Sequence, residues 1–246
     1  MPSVGRRCAP ALRHALPPPD GSPPWFEAEA DPGHPLRWHL PLLVLAEAAG
    51  HDTAADGPWR LTLRFRAYPA SAPSLLPWHG PHPDRASFFN AAKEAAACVA
   101  GGGAARLTAL APGAADALWA AAEAGDAAAA ADAFADAGVG AATDRVPLRV
   151  VLAARGRVAA ALSAPAHARA SLADAVLALL AQSGASDDRE WALADGTLTR
   201  RGRAVRVRAA GVDAPLGSPL APLHAALRAP DGFLYVVLMD EGGGGA

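Results

Sequence analysis

Lysine is almost absent from this sequence. Lysine and arginine together number 22, and the only lysine among them is Lys93. A bias in the composition of the gene accounts for this, since alanine, glycine, proline and arginine are all abundant. The consequence is chemical. Lys93 carries the only side-chain amine, and a guanidinium cannot replace an amine as a nucleophile because it stays protonated at physiological pH.

Cysteine and net charge are also scarce. The two cysteines, Cys8 and Cys98, are too few for a disulfide framework or a thiolate metal site, and no segment is typical of a secretory signal. We therefore expect a reducing, intracellular compartment. A formal net charge of -2 gives no general attraction to nucleic acid or anionic lipid, and no apolar run is long enough to span a bilayer. The expected protein is soluble or at most peripheral, with no nucleic-acid partner.

Motifs of catalytic and cofactor sites are missing as well. The sequence has no nucleophile elbow, no phosphate-binding glycine loop and no Cys/His pair with recognisable spacing. His79 and His82 lie in a proline-rich stretch with only Asp84 at ligand spacing, so we interpret them as surface histidines. We expect no catalytic residue, no cofactor and no metal.

The two ends lack periodic apolar residues. Residues 1–24 are rich in proline and arginine, which predicts a disordered lead, with an organelle transit peptide as the alternative. Residues 242–246 predict a flexible tail. Its glycines also allow a processed ubiquitin-like modifier, but the preceding Asp240 and Glu241 match poorly the basic approach that ubiquitin uses.

Two segments after the lead alternate apolar and polar side chains, as half-buried strands do. The first lies at 36–39, and Pro41 then stands where a short helix ending near Gly50 would begin. The second and clearer one runs from Trp59 to Phe65. Its arginines line the outer face, which we interpret as a solvated surface.

The middle of the chain has a helical pattern. Asp84 can cap a helix in which Lys93 falls on the shoulder of the apolar face, where it can reach solvent. The glycines at 101–103 end this helix, and further helical segments continue until Gly138 and Gly140. The apolar face of the first helix consists of Phe88, Phe89, Ala92, Ala96 and Val99.

The C-terminal part returns to a strand pattern. Ser171, with Asp174 three residues later, predicts the start of a helix. Strand, strand, helix, strand, short helix, strand is the order of a ubiquitin-like β-grasp domain, although other α+β folds share it. The predicted strands lie at 146–152, near 158, at 205–207 and at 233–238, and the short helix at 220–227.

Three segments resemble parts of the autophagy-related protein 5 family, and they occur in the same order as in that family. The end of that family's first ubiquitin-like domain is similar to WFEAEADPGHPLRWHLPLLVL with PWRLTLRFRAYP. The helix that carries the family's acceptor lysine resembles SFFNAAKEAAACV, which aligns that lysine with Lys93. The family's second ubiquitin-like domain is similar to VPLRVVL, SLADAVLALL and GVDAPLGSPLAPLHAALRAPDGFLYVVLMD.

The resemblance implies a scaffold and not an enzyme. Lys93 would form an isopeptide bond with the C-terminal glycine of the ubiquitin-like autophagy-related protein 12, delivered by E1-like and E2-like enzymes. A coiled-coil partner, autophagy-related protein 16, would dock alongside, and the complex would act like an E3 in the lipidation of autophagy-related protein 8. The implied location is the cytoplasm, with recruitment to the pre-autophagosomal (phagophore) membrane and a peripheral contact there.

The predicted fold class is α+β in five parts. They are a disordered lead (1–24), a partial first ubiquitin-like domain (25–76), a helix-rich domain (77–140), a second ubiquitin-like domain (141–241) and a flexible tail (242–246). The first domain is expected to be partial because nothing before Trp25 supplies the helix, two strands and long helix that open family members. A truncated gene model or a missing exon is the expected cause. Two strands and a short helix cannot be stable alone, so they must pack on the rest.

Two other classes of function remain open. In the first, the chain is an interaction module that keeps the fold and a helical partner but is never conjugated. Lys93 is then simply a solvated helix residue paired with Glu94. In the second, the chain is a hydrolase or a transferase.

Overall fold

The computed structural model describes residues 23–240, except for 53–54, 71, 73–74, 78–82, 100, 140–143 and 185–189. The helices are α1 (Leu42–Ala48), α2 (Pro83–Val99), α3 (Gly103–Thr108), α4 (Pro112–Ala124), α5 (Ala127–Asp136), α6 (Leu172–Gln182) and α7 (Leu220–Leu227). The strands are β1 (Trp25–Ala28), β2 (Leu61–Arg64), β3 (Arg145–Ala154), β4 (Arg157–His167), β5 (Trp191–Ala194), β6 (Thr197–Arg200), β7 (Arg203–Ala209), β8 (Val212–Asp213) and β9 (Leu234–Asp240). Most of the predicted lead and the whole predicted tail lie outside the described residues.

Strands β3 and β9 form the centre of the larger sheet and are buried on both faces. They pair in parallel, with Leu148 opposite Leu234 and Val151 opposite Val237, in the strand order β4-β3-β9-β7-β6-β5. Successive side chains of a strand point to opposite faces. Since both faces are covered, the two strands are almost continuously apolar, which is the pattern expected of a doubly covered sheet.

Helix α6 covers one face of this sheet. The hydroxyl oxygen of Ser171 accepts the backbone N–H of Asp174 at 3.1 Å, which confirms the predicted cap. The predicted strand, strand, helix, strand, short helix, strand order of this part is confirmed by β3, β4, α6, β7, α7 and β9. The main residues of the core on this face are Val146, Leu148, Val150, Leu172, Val176, Leu180, Leu234, Val236 and Leu238.

The N-terminal elements cover the opposite face. Strands β1 and β2 pair antiparallel in a small separate sheet, and α1 lies against β9, β3 and β4. The expectation that these few elements lean on the rest of the chain is therefore confirmed. The main residues of this second core are Trp25, Phe26, Trp38, Leu40, Val44, Leu45, Val151, Phe233, Tyr235 and Val237.

Polar contacts join the same two parts. The buried carboxylate of Glu47 in α1 accepts a hydrogen bond from the backbone N–H of Gly211, in the turn between β7 and β8. The guanidinium of Arg157, at the start of β4, donates two hydrogen bonds of 2.7 and 2.8 Å to the carboxylate of Asp31. Such charge-assisted contacts have a fixed direction, so they set the orientation of the N-terminal elements on the sheet.

Helices α2 to α5 form a third core, which confirms the helical character predicted for the middle of the chain. The turn after α2 depends on two glycines. Gly102 has a φ of 80°, and a Cβ on Gly103 would lie 2.3 Å from the carbonyl oxygen of Ala96. The chain can therefore reverse tightly enough for α3 to pack directly on α2. The buried residues here are Ala92, Ala96, Leu107, Leu118, Ala130, Phe134 and Val139.

Two local predictions need correction. The strand expected at 36–39 is absent, because turn hydrogen bonds from Trp38 N to Leu36 O and from Leu40 N to Arg37 O replace a ladder. Strand β2 pairs with β1, a strand that was not predicted. Asp84 is not the cap of α2, since the helix already includes the preceding proline and the Asp84 carboxylate accepts the N–H of Arg85 at 3.0 Å.

The hairpin β5–β6 was not predicted. Its turn is formed by Asp195 and Gly196, with φ values of 50° and 75°. Asp-Gly is a strong signal for a two-residue hairpin, so the sequence did contain the necessary information. The signal is easily overlooked because most residues of β5 are exposed and show no apolar alternation.

Truncating a buried leucine at the contact between the two parts should destabilise the whole molecule. Leu45 is 2% exposed in the second core, so Leu45→Ala should lower the free energy of unfolding by about 2–5 kcal/mol. Leu193, which is 47% exposed, is the matched control, and Leu193→Ala should cost less than about 0.5 kcal/mol. Denaturant titration followed by tryptophan fluorescence and circular dichroism measures both. A separate early transition in Leu45→Ala would contradict a shared core.

Candidate functional site

Lys93 lies in the third turn of α2, on the shoulder of its buried face. Ala92 and Ala96 are buried in the helical core, whereas Asn90 and Ala97 are exposed. The Lys93 side chain lies between these two sectors and is half-buried. Within the part of the chain that the structure describes, it makes no hydrogen bond or ion pair. The amine is therefore available to another molecule.

The neighbouring carboxylate of Glu94 does not pair with Lys93. Its Oε2 atom accepts a hydrogen bond of 2.5 Å from Nη2 of Arg149 in β3. Consecutive helical residues point about 100° apart, so Glu94 faces the sheet while Lys93 faces away from it. The pairing of Lys93 with Glu94 considered from the sequence is wrong.

Arg149 is the most extensively bonded side chain near this helix. Its Nε donates to the hydroxyl of Ser163 at 2.8 Å, and its Nη1 donates to the phenol oxygen of Tyr235 at 3.2 Å. Its guanidinium carbon lies 3.9 Å from the ring centroid of Phe233. The side chain is only 10% exposed, so these contacts replace water around a buried cation.

Asp231 completes the arrangement behind Tyr235. The Tyr235 hydroxyl donates to Asp231 Oδ2 at 2.6 Å, and the backbone N–H of Phe233 donates to Oδ1 at 3.1 Å. Burial raises the pKa of Asp231, and burial together with the Asp231 charge raises the pKa of Tyr235 well above its ordinary value. We call Glu94, Arg149, Ser163, Asp231 and Tyr235 the Arg149 cluster.

Arg149 stays protonated within this cluster. Burial by itself favours the neutral guanidinium, but Tyr235, Glu94 and Asp231 outweigh that effect and raise the pKa of Arg149. The cluster was not predicted from the sequence. The available signal was one arginine inside the otherwise apolar run VPLRVVL, since a charged residue in a strand buried on both faces needs a partner.

A cleft of about 550 Å³ separates the N-terminal elements from the β3–β4 turn. Its apolar wall includes Leu45 of α1, Trp59 and Val158, and the Arg157–Asp31 ion pair lies at its edge. Apolar and charged side chains both line the cleft, which suits an amphipathic ligand. Further residues around it are Leu36, Arg37, Ala49, Gly50, His51, Ala72, Leu75 and Arg155.

The remaining sequence candidates do not add a site. His79 and His82 lie outside the described residues, and Asp84 lies in the first turn of α2. Among the described residues, no group of three or more His, Cys, Asp or Glu side chains could hold a metal ion. Within the same residues, every helix is too short or too polar to cross a membrane.

Comparisons with known proteins decide the relationship. Residues 145–238 match the family model described as "Autophagy protein ATG5, UblB domain". Over 77 residues, which are 31% of this chain, the sequence is 36% identical to "Autophagy protein 5" of Oryza sativa subsp. japonica. The chain is related to autophagy protein 5. The match spans 18% of the length of the rice protein.

The fold agrees with this relationship to autophagy protein 5. The crystal structure of Kluyveromyces marxianus Atg5 matches with a TM-score of 0.66 and covers 96% of this chain and 83% of that chain. The sequence identity is 19%, so this match shows the fold alone. The predicted α+β class with a ubiquitin-like C-terminal domain is confirmed. The roles of Lys93 and of the partners, and the division of the chain at 76 and 140, stay predictions.

A half-buried histidine, His39, should make stability depend on pH. Burial, and then the charges of Arg37 and Arg149, lower the pKa of His39 from 6.5 to about 4. A base with a lowered folded pKa stabilises the fold above its unfolded pKa, and this contribution is lost as the pH falls. Between pH 6.5 and 4, His39 should therefore remove up to about 3 kcal/mol from the free energy of unfolding.

Denaturant titrations of the wild type and His39→Gln at several pH values from 4 to 7 measure this loss. Because glutamine does not titrate, the variant should lose less stability than the wild type over that range. Parallel pH profiles for the two proteins would show that His39 is not the cause.

Proposed function

We propose that this chain is an autophagy scaffold that is conjugated through Lys93 to the ubiquitin-like autophagy-related protein 12. The observation that carries the proposal is the only lysine of the chain, unpaired among the described residues, at the surface of a helix that resembles the acceptor helix of the family. The relationship to autophagy protein 5 gives that position its meaning. The chain supplies the acceptor, and its partners supply the chemistry.

The reaction is an aminolysis. The C-terminal glycine of the modifier arrives as a thioester on an E2-like enzyme, previously charged by an E1-like enzyme. The nitrogen of Lys93 attacks the thioester carbonyl, an isopeptide C–N bond forms, the C–S bond breaks, and the enzyme thiol leaves. A free lysine titrates near pH 10.4, so the amine must lose a proton before it attacks. Since no described side chain bonds to Lys93, we assign the proton acceptor to the enzyme complex.

The conjugate would act as part of an E3-like complex. In this proposal it promotes transfer of autophagy-related protein 8 to phosphatidylethanolamine, in the cytoplasm and at the phagophore membrane. The contact with the membrane would be peripheral.

The coiled-coil partner, autophagy-related protein 16, is assigned to the cleft between the N-terminal elements and the β3–β4 turn. Its wall offers apolar side chains such as Trp59 and Val158, and the charged pair Arg157–Asp31 lies at its edge. An amphipathic helix binds in this way, with its apolar face in the groove and its polar face towards the edge.

Replacing Lys93 tests the acceptor directly. The purified chain, mixed with the E1-like and E2-like enzymes, the modifier and ATP, should give a larger species that survives reducing agent, because an isopeptide bond is not a thioester. Lys93→Arg keeps the charge but removes the nucleophile, so that species should disappear. Conjugation that persists in Lys93→Arg contradicts the site. No conjugate from the wild type, with intact partner binding, favours the interaction module.

Blocking the cleft tests the helical partner. Ala49 lines the cleft and is half-buried, so Ala49→Arg should put a long charged side chain into the path of the helix and weaken its binding at least tenfold. Ala120→Arg, at an exposed position of α4, is the matched control and should bind normally. Isothermal titration with a peptide of the partner's helix measures both. Equal affinities for the two variants would exclude this cleft.

A further inference from the structure

We propose that the ion pair between Glu94 and Arg149 positions Lys93 for transfer. This inference rests on the proposed function. The pair joins the helix residue adjacent to Lys93 to the central strand β3, with a distance of 2.5 Å between Nη2 and Oε2. Glu94 and Arg149 are positioning residues, because they would act on the reaction through the orientation of α2.

Arg149 can hold a helix in place because it is itself fixed. Two of its nitrogens donate to Ser163 and Tyr235, on the strands to either side of β3, and its plane lies over the ring of Phe233. A guanidinium is planar, so fixing two donors and one face also fixes the direction of the third nitrogen. That nitrogen points at Glu94.

Around Lys93 the apolar contacts of α2 are made by small side chains, whereas its large apolar residues, Phe88 and Phe89, pack on the helical core from the N-terminal half of the helix. Its most deeply buried residues are alanines, with Ala95 against the sheet and Ala92 and Ala96 against the other helices. Alanine methyl groups allow close approach but form shallow ridges, and ridges set in grooves are what lock the rotation of one helix against its neighbour. Near Lys93, a directional polar contact with the sheet therefore constrains the rotation of the helix in a way that these small side chains do not.

A small rotation matters at Lys93. Side-chain ends lie roughly 6 Å from a helix axis, so a rotation of about 20° moves the amine by about 2 Å. Transfer from a thioester requires the nitrogen within near-attack distance of the carbonyl carbon, and a 1 Å misplacement can cost about 100-fold in rate. The sheet would thus influence a reaction at the outer side of α2.

Glu94→Ala is the main test, since Glu94 is 50% exposed and its loss should leave the fold intact. With the full chain and modifier-charged E2-like enzyme, the transfer rate at saturating enzyme should fall about 10- to 100-fold. The half-saturating concentration should stay within about twofold, since the docking surface is unchanged. Glu94→Gln keeps the hydrogen-bond acceptor and should recover part of the rate. Arg149→Met is the less specific test because it also removes the cation whose charge acts on Asp231.

The matched control is another ion pair of the same helix. Arg85 donates to Asp116 of α4 at 2.7 Å, and this pair does not involve the sheet. Asp116→Asn should leave the transfer rate within about twofold. If Asp116→Asn slows transfer as much as Glu94→Ala, any weakening of α2 is sufficient and the proposed role of Glu94 is wrong.

A measurement without conjugation separates this inference from the proposed function. Reductive methylation with ¹³C-formaldehyde labels Lys93 and the terminal amine, and Lys93→Arg identifies which NMR signal belongs to Lys93. The Lys93 signal should shift or broaden in Glu94→Ala and stay in place in Asp116→Asn. An unchanged signal in Glu94→Ala overturns the positioning role, whatever the transfer rate. If the signal shifts in Glu94→Ala but the wild type is not conjugated, the proposed function is overturned. The role of Glu94 in positioning Lys93 for that reaction is then overturned too.

Discussion

The structure depends on the burial of β3 and β9 on both faces. Alternate side chains of these strands enter two different cores, with Val150 and Val236 under α6 and Val151 and Val237 under the N-terminal elements. Neither core can be removed without exposing one whole face of the central strands to water. The ubiquitin-like part and the N-terminal elements therefore stabilise each other, although neither the two-stranded sheet nor α1 has a core of its own.

The same constraint explains why Arg149 has so many partners. It occupies a position in β3 that points toward the N-terminal face and α2, where a cation without partners would cost several kcal/mol. Replacing such a network with apolar residues often leaves stability unchanged or higher, so stability alone is a weak reason for it. Its distinctive property is direction. A guanidinium bonded to Ser163, Tyr235 and Glu94 links three strands and one helix in a single geometry.

Secondary structure could be predicted from the sequence where the apolar residues followed a single helix or strand periodicity. The helix after Ser171 and the strands at 146–152 and 233–238 were predicted because packing, capping and periodicity all agree there. Lys93 was also placed correctly on the shoulder of α2, since helix geometry alone decides that position. The prediction of a strand at 36–39 was wrong because Trp38 and Leu40 lie in a turn and are nevertheless buried. In a turn, alternation of apolar residues does not indicate extended backbone.

The Arg149 cluster could not be predicted for a different reason. Glu94, Arg149, Ser163, Asp231 and Tyr235 come from four separate segments of the chain. The pairing of β3 with β4 and β9 and the packing of α2 on β3 bring them together. Local patterns cannot encode such contacts. If the proposed function is correct, this distribution has a consequence for what the chain contributes to conjugation. The Lys93 amine has no bonded partner among the described residues, so its selectivity would come from its position. The residues that fix this position are distributed across the sheet. The acceptor site is then a property of the whole fold, and Lys93 supplies its reactive nitrogen.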